Sequence, residues 1–204
     1  GEDGPTHQPV SQLAACRALP ELLVFRPADA NEVAQSYHAL VQHQQQPAML
    51  VLTRQPLPTL CREQYASASG VHQGAYTLKD CDGEPQVLLL GTGSEVGLCL
   101  TAQETLATEG IAARVVSMPC WELFEEQDTA YRNDVLPPQV TARVGVEAGL
   151  RMGWDRYIGA DGRFVGMEGF GASAPADELF EHFGITAAHV VIAAKEAIEN
   201  SQRQ

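Results

Sequence analysis

The sequence predicts an α/β protein of two three-layer α/β domains with mostly parallel sheets, the first of them incomplete. Three observations lead there. Apolar runs of strand length alternate with helix-length amphipathic stretches, the order that builds a parallel sheet with helices on its faces. One such run, Ala48-Met49-Leu50-Val51-Leu52, is apolar throughout rather than alternating, as in a parallel strand covered on both faces. The turn Gly91-Thr92-Gly93-Ser94-Glu95 lies between a strand-length and a helix-length run, where glycines permit a tight strand-to-helix turn.

In chain order, residues 10–19 read as helix, 22–25 as strand, 30–44 as helix and 48–53 as strand. Asp29 followed by Glu32 forms a capping-box start for the second helix: the Asp accepts an orphan amide and the Glu reaches back. Its apolar positions Val33, Tyr37, Leu40 and Val41 fall on one face. This series is half of an α/β domain, so further strands are expected upstream of Gly1. The start Gly1-Glu2-Asp3-Gly4, with neither an initiator Met nor a signal-peptide pattern, reads as a cut. Periodicity then fails. Pro56, Pro58 and the small-residue run at 66–70 mark a connection, which places a first domain over 1–56, a linker over 57–73 and a second domain over 74–204. In the second series, 86–90 reads as strand, 94–108 as helix opened by a Thr92/Glu95 capping box, 112–117 and 141–147 as strands, and two helices end the chain.

A length of 204 residues with 45% apolar content supports a real hydrophobic core. The formal charge of −13 argues against nucleic acid and anionic membrane as partners, because both attract clustered Lys and Arg. No apolar run approaches the roughly 20 residues that cross a bilayer. The five cysteines are odd in number and widely spread, without a C-x-x-C pair, and read as reduced thiols of a cytoplasmic protein.

Two places offer chemistry. The opening Gly1-Glu2-Asp3-Gly4-Pro5-Thr6-His7-Gln8-Pro9 gathers an acid, a hydroxyl and an imidazole in a kinked loop before a helix, and its spacing fits a ligand loop and a solvated turn equally well. Arg54 ends a strand, where a guanidinium can hold a phosphate by two parallel hydrogen bonds; by itself the position favours a rim ion pair. His38 and His43 lack the i, i+4 spacing of a metal pair and read as surface residues, His182 and His189 as structural. Glu147, at a strand end, could be functional by position, a reading that the family resemblance described below turns toward a structural hydrogen bond, and Trp121, Phe124 and Tyr131 read as core or interface.

The opening motif, with Arg17-Ala18-Leu19-Pro20 and Phe25-Arg26-Pro27-Ala28-Asp29, resembles the stretch of transketolase that ends its pyrimidine-binding domain. The likeness continues through Leu52-Thr53-Arg54-Gln55, Gly91-Thr92-Gly93-Ser94-Glu95-Val96, Arg114-Val115-Val116-Ser117-Met118-Pro119, Val146-Glu147-Ala148-Gly149 and Phe170-Gly171-Ala172-Ser173-Ala174-Pro175-Ala176, so nearly the whole chain is covered. The resemblance implies that Asp3 contacts a sugar hydroxyl, that His7 binds the donor carbonyl end and serves as the catalytic proton donor, and that Arg54 binds the sugar phosphate. It implies ketol transfer between phosphorylated sugars of the pentose phosphate pathway and Calvin cycle, in a cytoplasmic homodimer that joins at the pyrimidine-binding domain. Thiamine diphosphate and Mg2+ or Ca2+ would serve the complete enzyme. The family's cofactor-activating glutamate lies before Gly1, and its Gly-Asp-Gly metal signature is not found in the chain. No cofactor or metal residue is therefore assigned, and the chain alone is expected to bind neither and to be inactive. Dihydroxyacetone synthase shares the opening motif and is the near alternative; a non-catalytic dimerisation or binding module is the alternative of a different class.

Overall fold

A computed structural model describes residues 4–202. The chain begins with a 3-10 turn at Pro5–His7 and helix α1 (Gln12–Arg17), followed by strand β1 (Leu23–Phe25), helix α2 (Ala30–Gln42) and strand β2 (Ala48–Leu50). β1 and β2 pair in parallel as a sheet of two, with Leu23 opposite Ala48 and Phe25 opposite Leu50. β1 is wholly buried. β2 is not: Ala48 is exposed, Met49 and Leu50 are half-buried, and Leu52 beyond them is 52% exposed. β2 is parallel as expected but is not covered on both faces: among the described residues its one sheet partner is β1.

Asp29 caps α2 as anticipated, accepting from the Glu32 amide at 2.9 Å. The reciprocal bond differs by one residue, since Glu32 accepts from the Ala28 amide at 2.7 Å. The face of α2 that carries Val33, Tyr37 and Val41 is not the buried one. Glu32, Ser36 and Ala39 are buried instead, while Tyr37 and Val41 are 56% and 66% exposed. Glu32 meets the rest of the protein by hydrogen bonds rather than by apolar packing, accepting from the Tyr76 and Ser117 hydroxyls at 2.7 Å each. These donors and their distances explain how a carboxylate can line the inner face of a helix.

The segment after β2 passes through a second 3-10 turn, Ala68–Gln73, into a sheet of five strands in the order β3-β5-β4-β6-β7. These are β3 (Tyr76–Lys79), β4 (Val87–Gly91), β5 (Ala113–Ser117), β6 (Arg143–Leu150) and β7 (Arg163–Met167). All pairs are parallel except β3 with β5, which is antiparallel. The edge strands β3 and β7 escape the sequence reading, because each is short and mixes polar with apolar residues. Helices α3 (Val96–Thr108) and α8 (Ala187–Ser201) cover one face, packing on Val87, Leu89, Val115, Val144 and Val146. The other face buries Leu88, Leu90 and Val116 against Trp121, Trp154 and Tyr157, which lie around helices α4 (Trp121–Glu125) and α6 (Asp155–Ile158). Helix α5 (Thr129–Val135) precedes β6, and α7 (Ala176–His182) precedes α8. The layers are those of a three-layer α/β fold.

Candidate functional site

The two sheets meet through buried charges at the carboxyl end of the larger one. Its strand order reverses at β4, so the turn after β4 and the end of β6 flank the crevice where open α/β sheets bind ligands. Here the crevice holds the guanidinium of Arg26, from the end of β1. Arg26 is 7% exposed, donates to the Thr92 carbonyl at 2.6 Å, is ion-paired with Glu95 and lies 3.8 Å from Glu147. Burial opposes its charge, but Glu95 and Glu147 more than compensate and raise its pKa. Gly93, at φ +61°, allows the approach: a Cβ there would stand 2.7 Å from the guanidinium carbon. Thr92 does not cap the following helix as its spacing suggests. Its hydroxyl donates instead to the Arg26 carbonyl at 3.2 Å, and Glu95 accepts from the Ala148 amide at 2.9 Å.

Arg17 completes the network. Its two terminal nitrogens donate to Glu147 at 2.8 and 2.9 Å, the Trp154 indole donates to the same carboxylate at 2.9 Å, and the guanidinium stacks 3.6 Å from the Trp121 ring centre. Burial alone would raise the Glu147 pKa; Arg17 beside it and Arg26 beyond hold it below the usual carboxylate value. Every polar atom of the Glu147 carboxylate is thus engaged within the protein, although its place at a strand end pointed to function. Trp121 and Phe124 are core, and Tyr131 is partly buried with its hydroxyl donating to the Ala75 carbonyl at 2.9 Å.

Of the residues that the sequence singled out, Asp3 lies outside the described residues. His7 is exposed at the end of the first 3-10 turn, with Nδ1 3.2 Å from the Thr6 hydroxyl. Arg54 is exposed just beyond β2 and lines an open cleft of about 800 Å3 with Gln8, Gln55, Ser173, Leu179 and Phe180. The rim ion pair anticipated for it is not seen. Arg17, Arg26 and Arg62 are each paired with a carboxylate, whereas Arg54 has no such partner among the described residues. The cleft reaches the histidine loop through Gln8, the neighbour of His7, whose carbonyl accepts from the Gly171 amide at 2.7 Å. Sequence reasoning missed this cleft wall. The Gly171–Ala176 stretch has the small residues that let a loop approach closely, but nothing in its spacing points to the loop it meets.

No group of three or more His, Cys, Asp or Glu able to hold a metal ion occurs among the described residues. The crevice at the carboxyl end of the five-stranded sheet is filled by Arg26. The described residues therefore do not present a donor set for a diphosphate with its metal. All five cysteines are unpaired, and no helix among the described residues is long and apolar enough to cross a membrane.

Two tandem α/β units, with an arginine-bearing cleft beside a histidine loop, are the features set against known proteins. Residues 74–186 match the family model described as the transketolase-like C-terminal domain, and residues 1–59 match the transketolase pyrimidine-binding domain. The chain is 53% identical over 200 residues to transketolase 7 of Craterostigma plantagineum, covering 96% of this chain and 29% of that protein. It is 50% identical over 190 residues to a transketolase of Aquifex aeolicus, covering 93% of this chain and 28% of that protein. A transketolase of Pichia stipitis, solved in complex with sedoheptulose 7-phosphate, superposes with a TM-score of 0.91 at 37% identity, covering 100% of this chain and 29% of the other. The chain belongs to the transketolase family. It spans less than a third of the length of these relatives.

Proposed function

We propose that the chain is the carboxyl-terminal part of a transketolase that moves a two-carbon ketol group from a ketose phosphate such as xylulose 5-phosphate to an aldose phosphate such as ribose 5-phosphate. The observation that carries this reading is Arg54, a guanidinium without a carboxylate partner among the described residues, in an open cleft reached by the loop of His7. A dianionic phosphate supplies what Arg54 lacks, and a planar guanidinium can hold two of its oxygens at once. His7 faces solvent, where an imidazole can bind a sugar oxygen and pass a proton to it. Asp3 completes the set as the group that reads a sugar hydroxyl. The structure of the Pichia stipitis relative, which holds a sugar phosphate, supports this substrate class. The transketolase names of the matched relatives favour ketol transfer over the dihydroxyacetone synthase reading.

In this reading residues 1–56 close the pyrimidine-binding domain, 57–73 link, and 74–204 form the carboxyl-terminal domain. The complete protein would be a cytoplasmic homodimer that uses thiamine diphosphate with Mg2+ or Ca2+, held by parts of the enzyme other than these residues. The 204-residue chain, incubated with thiamine diphosphate, Mg2+, xylulose 5-phosphate and ribose 5-phosphate, should form no glyceraldehyde 3-phosphate. Clear turnover would overturn the partition. In a protein of the relatives' full length, Arg54→Ala should raise KM for the sugar phosphate by roughly 30- to 150-fold, the equivalent of about 2–3 kcal/mol for hydrogen bonds to a charged group. An unchanged KM would remove Arg54 from the site.

A further inference from the structure

Two histidines that look unrelated in sequence meet in space. His38 lies on α2 and His72 in the 3-10 turn Ala68–Gln73, and their Nδ1 and Nε2 atoms stand 3.2 Å apart. The ring centres are 5.0 Å apart with planes at 77°. A tetrahedral zinc ion with Zn–N bonds of about 2.05 Å would set two ligating nitrogens ~3.3 Å apart, with ring centres ~5.2 Å apart. A straight N–H···N bond at the observed separation would instead push the ring centres to about 5.5 Å. The observed 5.0 Å is shorter than both and nearer the metal-bridged value.

We propose that His38, His72 and Gln35 form a binding site for a divalent late transition metal of the zinc class, holding α2 to the segment that leads into the five-stranded sheet. Gln35 supplies the third donor. Its side-chain oxygen lies 3.1 Å from His72 Nε2, and it precedes His38 by three residues, on the same helix face. No third His, Cys, Asp or Glu joins the pair among the described residues, so the donor set is two imidazole nitrogens and an amide oxygen, with His38 exposed and a position open to water. Imidazole donors suit Zn2+, Ni2+ and Cu2+ and leave Mg2+ and Ca2+ to oxygen-rich sites. The chain's charge of −13 attracts cations to the surface. A metal-bound imidazole donates its other N–H to an acceptor. The Gln42 amide nitrogen lies 3.4 Å from His38 Nε2, and a half-turn of that amide would present its oxygen there.

The test uses the purified chain with Zn2+ alone as the probe, measured by competition with a chromogenic chelator and by thermal melting. One equivalent should bind and raise the melting temperature. His38→Ala and His72→Ala should each weaken binding at least tenfold and abolish the thermal shift, while His189→Ala, elsewhere on α8, should leave both unchanged. Absence of zinc uptake by the wild-type chain, or wild-type affinity in both variants, would overturn the site. If the half-buried His72 cannot be replaced without unfolding, the exposed His38 decides the matter alone.

Discussion

Replacing Glu147 by Gln preserves its shape and removes its charge at a place where that charge has no substitute. Glu147 is 1% exposed, and the side chains of Arg17 and Arg26 that face it are 7% and 8% exposed. The Gln amide oxygen could still accept from one nitrogen of Arg17, but its NH2 would oppose the other Arg17 nitrogen in either orientation, and the Trp154 indole as well in one of them, donor against donor. Removing one partner of a buried pair costs about 3–5 kcal/mol, because the remaining charge stays desolvated. Arg26 keeps Glu95, so Arg17 carries most of the loss and the lower half of that range is expected. With a urea slope of about 2 kcal/mol per M, the unfolding midpoint should fall by roughly 1.5–2 M. A shift below about 0.5 M would refute the reasoning. pH supplies an independent arm. The folded-state pKa of Glu147 is depressed, so its stabilisation is fully present above the ordinary carboxylate pKa and is lost as pH falls through the lowered folded value. The gap between wild type and Glu147→Gln should therefore stay constant from about pH 8 to pH 6 and close only in acid. A gap that closes between pH 8 and pH 6 would assign the effect to another group.

Two further outcomes follow from the packing. Gly74, at φ +81°, has no room for a methyl group: an added Cβ would meet the Cys120 carbonyl oxygen and the Phe124 amide nitrogen at 2.2 Å, and backbone atoms cannot step aside. Gly74→Ala should cost more than about 4 kcal/mol, read as loss of soluble protein or of the cooperative melt, and a variant melting like wild type would contradict the contact. Hydrogen exchange should be faster at β2, whose residues are exposed or half-buried, than at β4, every residue of which is buried. Equal protection of the two strands would show that the small sheet opens only with the large one.

The alternation of strand and helix, the parallel sheets, the Asp29 cap and the location of β1, β4, β5 and β6 were all legible in the chain itself. Each depends on local spacing: 3.6 for a helix, an apolar run for a covered strand, a polar oxygen ahead of a helix start. The likeness to transketolase was legible as well, because its motifs are contiguous. Partners were not. Glu32 and Asp29 read as a cap, but Tyr76 and Ser117 arrive from 44 and 85 residues away to make Glu32 an inner-face residue of α2. Thr92 and Glu95 match a capping box equally well, yet the approach of Arg26 redirects both. A hydrophobic pattern says that a face can be buried, and only the neighbours decide whether it is; Tyr37 and Val41 stay exposed for that reason. The same holds for His38 and His72, whose separation of 34 residues conceals a nitrogen pair 3.2 Å apart. Local periodicity constrains the backbone of one element at a time, whereas charge pairing, cleft walls and ligand geometry depend on which elements the sheet order places side by side.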